Sequence, residues 1–150
     1  MPNTSPAEIL LIEDSLEDAR LTLRALQKAG LTEKVTVIRD GAEALEFLFC
    51  EGAHAQRLPE PRPALILLDL KLPKVDGLGV LAKVKSDSRT CSIPVVMLTS
   101  SQEKRDVTES YRLGVNSYLV KPVDFDGFLA ATRLLVKYWL DLNHAPELRG

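Results

Sequence analysis

Five polar positions in this sequence fall where apolar runs end. "EILLIED" closes on Glu13 and Asp14, "ALILLD" on Asp69, "PVVMLTSS" on Thr99 before Ser100 and Ser101, and "SYLVKP" on Lys121. A run of leucine and isoleucine is suited to burial, and an ionised carboxylate at its end is costly unless compensating groups are supplied. Three carboxylates brought together repel one another, which is tolerable only around a cation. Oxygen-only ligands at a partly open site suit Mg2+, which keeps several waters and takes one or two carboxylates plus a phosphate oxygen. Three negative charges against a divalent ion and one lysine sum to about zero, so such a site can accept a phosphoryl group whose developing charge the metal and Lys121 stabilise. Asp69 is then the natural nucleophile, because carboxylates form acyl phosphates in phosphoryl transfer.

For these residues to meet, the strands that carry them must end at one sheet edge. The strand candidates are Glu8–Glu13, Lys34–Arg39, Ala64–Asp69, Pro94–Thr99 and Asn116–Val120. The first, third and fourth are apolar at consecutive positions, as in strands covered on both faces within a parallel sheet. Helix-length segments alternate with them: Leu16–Ala29, Gly41–Glu51, Gly77–Ser86, Glu103–Leu113 and Phe125–Leu142. The first has Leu16, Ala19, Leu23 and Leu26 near helical spacing and stops at Gly30. Alternating strands and helices give a doubly wound α/β sandwich, in which functional groups gather beyond the carboxyl ends of the strands. Ser15 with Asp18 resembles a capping box, which leaves Glu13 and Asp14 free for other work. Thr99 alone could be an ordinary strand residue, and Lys121-Pro122 alone an exposed turn. Their coincidence at one edge is what points to a site.

Composition narrows the function classes. The 150 residues are 45% hydrophobic and 27% charged with a net charge of -2, which fits one soluble domain. Lysine and arginine are scattered, so nucleic acid is not an expected partner. No apolar run approaches the roughly 20 residues of a membrane span, and "MPNTSPAE" lacks a secretory pattern. A cytoplasmic protein without membrane contact is expected. Cys50 and Cys91 stand far apart without a C-x-x-C, which speaks against a disulfide framework or a zinc site, and His54 and His144 are isolated. "AHAQRLPEPRP", Ala53 to Pro63, carries three prolines within five residues and is expected to be an ordered or semi-rigid surface loop.

From about Ala7 to Leu142 the chain resembles the receiver domain of two-component response regulators. The resemblance rests on "IEDS", on "LLDLKLPKVDG" with Asp69, Pro73, Asp76 and Gly77, on "MLTSS", and on "YLVKP" with Tyr118, Lys121 and Pro122. It implies a flavodoxin-like five-stranded parallel sheet of order 2-1-3-4-5 with helices on both faces. It further implies that Asp69 takes a phosphoryl group from a phosphohistidine of a sensor histidine kinase. Glu13, Asp14, Asp69 and the backbone carbonyl of Lys71 would hold Mg2+, and Lys121 would contact the phosphoryl oxygens. Thr99 would swing toward the phosphoryl group while Tyr118 moves inward, and the Lys121-Pro122 bond would be cis. Such a protein catalyses only its own phosphorylation and dephosphorylation. "KYWLDLN", the proline-rich loop and "KPVDFDGF" are similar to stand-alone regulators that serve bacterial phytochrome kinases.

After about Leu142 only "NHAPELRG" remains, so no output domain is expected and the signal must leave through a surface. In the last helix Phe125, Phe128, Leu129, Thr132, Val136 and Trp139 form a core-facing stripe, while Leu134, Tyr138 and Leu142 form a second one. The second stripe is a candidate homodimer or partner face, with Trp139 folding over the core rim as the plainer alternative. Two other function classes remain at this stage. A haloacid dehalogenase-type phosphatase needs a second aspartate two residues after the first, where this chain has Lys71. A phosphorylation-independent adaptor would leave Asp14, Glu13, Thr99 and Lys121 without a purpose.

Overall fold

Ile9–Ile12 (β1), Leu65–Leu68 (β3) and Val95–Thr99 (β4) are buried at every position, as their unbroken apolar runs demand. Val35–Ile38 (β2) and Ser117–Val120 (β5) are only partly buried, because they form the two edges of the sheet. The computed structural model describes residues 8–30 and 35–146, so Lys34, expected to start the second strand, lies outside the described residues. All neighbours are parallel and the order is β2-β1-β3-β4-β5, the order expected of the family resemblance. Ile12 stands in register with Ile38 and Leu68, and Thr99 with Val120, so the carboxyl ends of all five strands reach the same edge.

Strand side chains alternate between two apolar layers. Leu10, Ile12, Ile66, Leu68, Val95 and Met97 pack against α2 (Gly41–Phe49) and α3 (Gly77–Ser86). Ile9, Leu11, Leu65, Leu67 and Val96 pack against α1 (Leu16–Lys28) and α5 (Phe125–Val136). The remaining helix, α4 (Lys104–Arg112), lies beside α3 and β5. Its first residue follows Glu103, which is the N-cap rather than a helical residue. Among the described residues no helix is long and apolar enough to cross a membrane.

Ala29 and Leu113, expected as last helical residues, are C-caps, and two further helix ends differ more from the sequence expectation. α2 stops at Phe49 rather than Glu51, because Cys50 takes a left-handed conformation (φ 54°) and closes the helix through its N–H to Glu46. The last helix is α-helical only to Val136, and Lys137–Leu142 wind as a π-helix whose closing bond runs from the Asn143 N–H five residues back to Tyr138 O. That wider winding keeps Trp139 half-buried against the α1/α5 layer with Leu135 and Leu140, the rim packing named above as the plainer alternative. The second stripe stays outside: Leu134, Tyr138 and Leu142 are 72%, 48% and 61% exposed.

The segment before β3 is ordered, starting with a 3-10 turn at Gly52–His54. Arg57 holds it. Its guanidinium lies 3.9 Å from the Phe47 ring centroid, donates to Phe47 O at 3.1 Å, and pairs with Glu8 at 3.8 Å. Replacing Arg57 by Ala removes a stacked cation and a charge-assisted hydrogen bond, and is expected to lower stability by about 1–3 kcal/mol. A urea unfolding series with an unchanged m-value would measure it.

Candidate functional site

The site begins with the aligned strand ends. The Glu13 N–H donates to Ile38 O at 2.9 Å, Asp69 N–H to Ile12 O at 3.0 Å and Lys121 N–H to Thr99 O at 2.8 Å, so each functional residue continues its strand by one ladder step. Asp69, Asp14, Lys71, Thr99, Ser100 and Arg105 face one open cleft of about 810 Å³. Asp69 Oδ1 accepts the Leu70 N–H at 2.7 Å and Oδ2 lies 3.7 Å from Lys121 Nζ. These contacts and the open cleft side are what allow a carboxylate to terminate "LILL".

Lys121 is 11% exposed and bridges three acids. Its ammonium donates to Glu13 Oε1 at 2.5 Å and to Asp18 Oδ2 at 2.9 Å, besides facing Asp69. Burial opposes the ammonium, but the hydrogen bonds to Glu13 and Asp18 outweigh it and lift its pKa above the usual lysine value. Glu13 is 2% exposed. Burial, together with a hydrogen bond and repulsion from Asp69, pushes its pKa up to about 7 against the pull of Lys121. Glu13 therefore turns its carboxylate to Lys121 and to the Ser15 N–H (3.2 Å), while Asp14 and Asp69 face the cleft. Among the described residues no three carboxylate, histidine or cysteine side chains converge as a ready-made metal cage.

The β3–α3 loop that carries Lys71 is clamped by two glycines. A Cβ on Gly77 would lie 2.3 Å from Asp69 O, and one on Gly41 would lie 1.7 Å from Val75 O. Gly77 N–H donates to Leu70 O at 2.8 Å, and Pro73 O accepts from Gly41 at 3.2 Å and from Val75 at 2.8 Å around Lys74 at φ 67°. On the opposite wall, Thr99 is 2% exposed and Tyr118 donates its hydroxyl to Ser101 O at 3.0 Å. Burial raises the Tyr118 pKa, and the Ser101 side chain partly offsets it.

Several expectations change in detail. Ser15 does cap α1 by accepting the Asp18 N–H, but the Asp18 carboxylate does not complete a capping box. It reaches Lys121 instead, and Glu13 takes the Ser15 N–H. Asp18 thus belongs to the charge network, and the signal for it was the need of a buried lysine for more than one partner. Arg39, which donates to Asp14 O at 3.1 Å, and the cleft residues Arg105 and Asp106 had no sequence signal. Among the described residues the one cis peptide bond is Glu60–Pro61, so Lys121-Pro122 is trans, the isomer an X–Pro bond ordinarily prefers.

Glu13 provides a direct check of this electrostatic arrangement. In metal-free protein its carboxyl 13C resonance is expected to titrate near pH 7, and Lys121→Met is expected to move the midpoint higher, because Lys121 lowers it. Since the folded state holds this proton more tightly than the unfolded chain, Glu13 favours folding below about pH 4.5 and that contribution is lost as the pH rises through about 7.

Comparison with known proteins agrees with this geometry. The response regulator receiver domain family matches residues 9–133. The response regulator Rcp1 of Synechocystis is 40% identical over 141 residues, covering 94% of each chain, and its Mn(2+)-bound crystal structure superposes with a TM-score of 0.85 at 39% identity over 95% of this chain and all of that one. The phosphorylated cyanobacterial phytochrome response regulator RcpA superposes at 0.87 with 38% identity, covering 95% of this chain and all of that one. The bacteriophytochrome response regulator RtBRR is 55% identical with a TM-score of 0.76, over 94% of this chain and 84% of that one.

Proposed function

The chain belongs to the response regulator receiver domain family, and from that premise we propose that it is a stand-alone regulator that accepts a phosphoryl group on Asp69 from a sensor histidine kinase. The observation that carries this reading is the cleft that Asp69, its side chain 15% exposed, shares with Asp14 while it faces the Lys121 ammonium. An Asp69 carboxylate oxygen attacks phosphorus, the P–N bond to the donor histidine breaks, and the imidazole leaves with that electron pair. The donor we favour is a phytochrome-type kinase, supported by the likeness to RcpA, Rcp1 and RtBRR. Its partners are then proteins in the cytoplasm, rather than nucleic acid or a membrane.

The residues present fit a magnesium ion. Asp14 and Asp69 give the two cleft-facing carboxylates that Mg2+ takes alongside waters, and among the described residues Asp14 has no ion-pair partner of its own. Asp14, Asp69 and the Lys71 carbonyl would hold the ion, with Glu13 behind them, and a bound Mg2+ supplies charge neutralisation for the transferring phosphoryl group. Lys121 contacts the phosphoryl oxygens from the other side. Thr99 and Tyr118 act as the switch pair, shifting an equilibrium between two arrangements when Asp69 is modified. The protein catalyses only its own phosphorylation and dephosphorylation.

Intact mass after incubation with acetyl phosphate and Mg2+ tests the chemistry. One phosphoryl group is expected on the wild type and none on Asp69→Asn or after chelation of the metal; a folded wild type that gains none fits the phosphorylation-independent adaptor instead. The output surface we favour is a homodimer face on the exposed Leu134, Tyr138 and Leu142, and Leu134→Asp is expected to turn a dimer into a monomer in sizing chromatography with light scattering.

A further inference from the structure

Among the described residues four of the five α-helices carry their own cap and α4 does not. α1, α2, α3 and α5 start at Ser15, Asp40, Asp76 and Asp124, each accepting an N–H from the first turn, whereas Glu103 before α4 makes no such bond. The unsatisfied N–H groups of a helix start need a partner. Ser101 supplies one from two residues upstream: its Oγ accepts the Glu103 N–H at 3.3 Å and donates to Asp106 Oδ2, in the first turn of α4, at 2.6 Å. A hydroxyl that close to a carboxylate makes a charge-assisted bond, roughly twice as strong as a neutral one.

The backbone of the same residue reaches in the opposite direction. Ser101 N–H donates to Thr99 Oγ1 at 3.3 Å, and Ser101 O accepts the Tyr118 hydroxyl at 3.0 Å. One half-buried residue therefore joins both members of the proposed switch pair to α4. Accepting that N–H occupies a lone pair on Thr99 Oγ1 and leaves the hydroxyl proton free to be donated. Thr99 lines the cleft beside Asp69, and Tyr118 packs against the α2/α3 core layer.

We propose that Ser101, tied down by Asp106, is a positioning residue that holds Thr99 and Tyr118 in the inward arrangement before Asp69 is phosphorylated. The Ser101–Asp106 bond thereby sets the resting bias of the switch. The inference rests on the phosphoacceptor reading above, and it assigns to Asp106 a part that touches neither the metal site nor the phosphoryl group. An equilibrium between two arrangements moves only by what favours one over the other. This bond does so, because it exists only while the β4–α4 loop lies against the first turn of α4.

The test uses the full chain as wild type, Ser101→Ala, Asp106→Ala, the double variant and Ser101→Thr, with acetyl phosphate and Mg2+ as the probe. The rate of phosphoryl gain is read by intact mass. The position of Tyr118 is read without donor by fluorine NMR of 3-fluorotyrosine protein, its resonance assigned with Tyr118→Phe. Each single alanine variant is expected to slow phosphoryl gain about 3- to 10-fold, the loss of one such hydrogen bond from the competent state. The double variant is expected to be no slower than either single one, and threonine to restore the rate. The Tyr118 resonance is expected to move toward that of the exposed Tyr111. A lower melting temperature with unchanged rates and resonance, or additive effects in the double variant, would overturn the proposal. A wild type that takes no phosphoryl group overturns the phosphoacceptor reading instead, and the Tyr118 resonance then decides the inference alone.

Discussion

The Lys121 ammonium is the interaction on which the rest of this structure converges. It sits at the end of β5, an edge strand, yet it binds the residue after β1, a residue one turn into α1 and the residue after β3. Bringing a lysine to 11% exposure is unfavourable in itself, and it is compensated because three carboxylates would otherwise be left to repel each other. Each charge makes the others tolerable. The consequence is an edge strand fixed to the centre of the sheet by electrostatics where the main-chain ladder alone would be weakest.

The same arrangement divides labour among the acids. Glu13, buried and engaged by Lys121, serves as the inner counter-charge. Asp14 and Asp69, with one side open to the cleft, remain available to an incoming cation or phosphorus. Around them the β3–α3 loop is held rigid by backbone contacts so close that Gly41 and Gly77 have no room for a side chain. The opposing β4–α4 loop is held instead by side-chain hydrogen bonds of Ser101. One wall is thus fixed by steric contact and the other by exchangeable hydrogen bonds.

Much of this was readable from residue order alone, and the reasons are physical. Unbroken apolar runs at β1, β3 and β4 announce strands buried on both faces, and a carboxylate ending such a run announces a site. The edge strands were equally visible although partial burial relaxes their apolar pattern, and their ends match the sequence reading as closely as those of the central strands. In sequence Asp18 reads as half of a capping box: the local spacing fits that motif, and only the three-dimensional position of Lys121 shows where the carboxylate goes. Asp106 and Arg39 gave no signal, since both are ordinary surface residues in sequence whose partners are set by loop geometry. The π-winding of Lys137–Leu142 was missed because the apolar spacing that marks an α-helix changes little over so short a stretch.

The parallel register has a further consequence. Because every strand runs the same way, all the chemistry lies at one rim of the sheet, and the chain enters its strands at the other. The proline-rich segment from Ala53 to Pro63 feeds β3 from that second rim, the length of the strand away from Asp69, and is secured by Arg57 to α2 rather than to any cleft residue. The architecture therefore insulates the reaction centre from insertions at its rear: this segment can lengthen, shorten or change composition without moving the acids. Room for change in that loop and a fixed cleft are two outcomes of one geometric polarity.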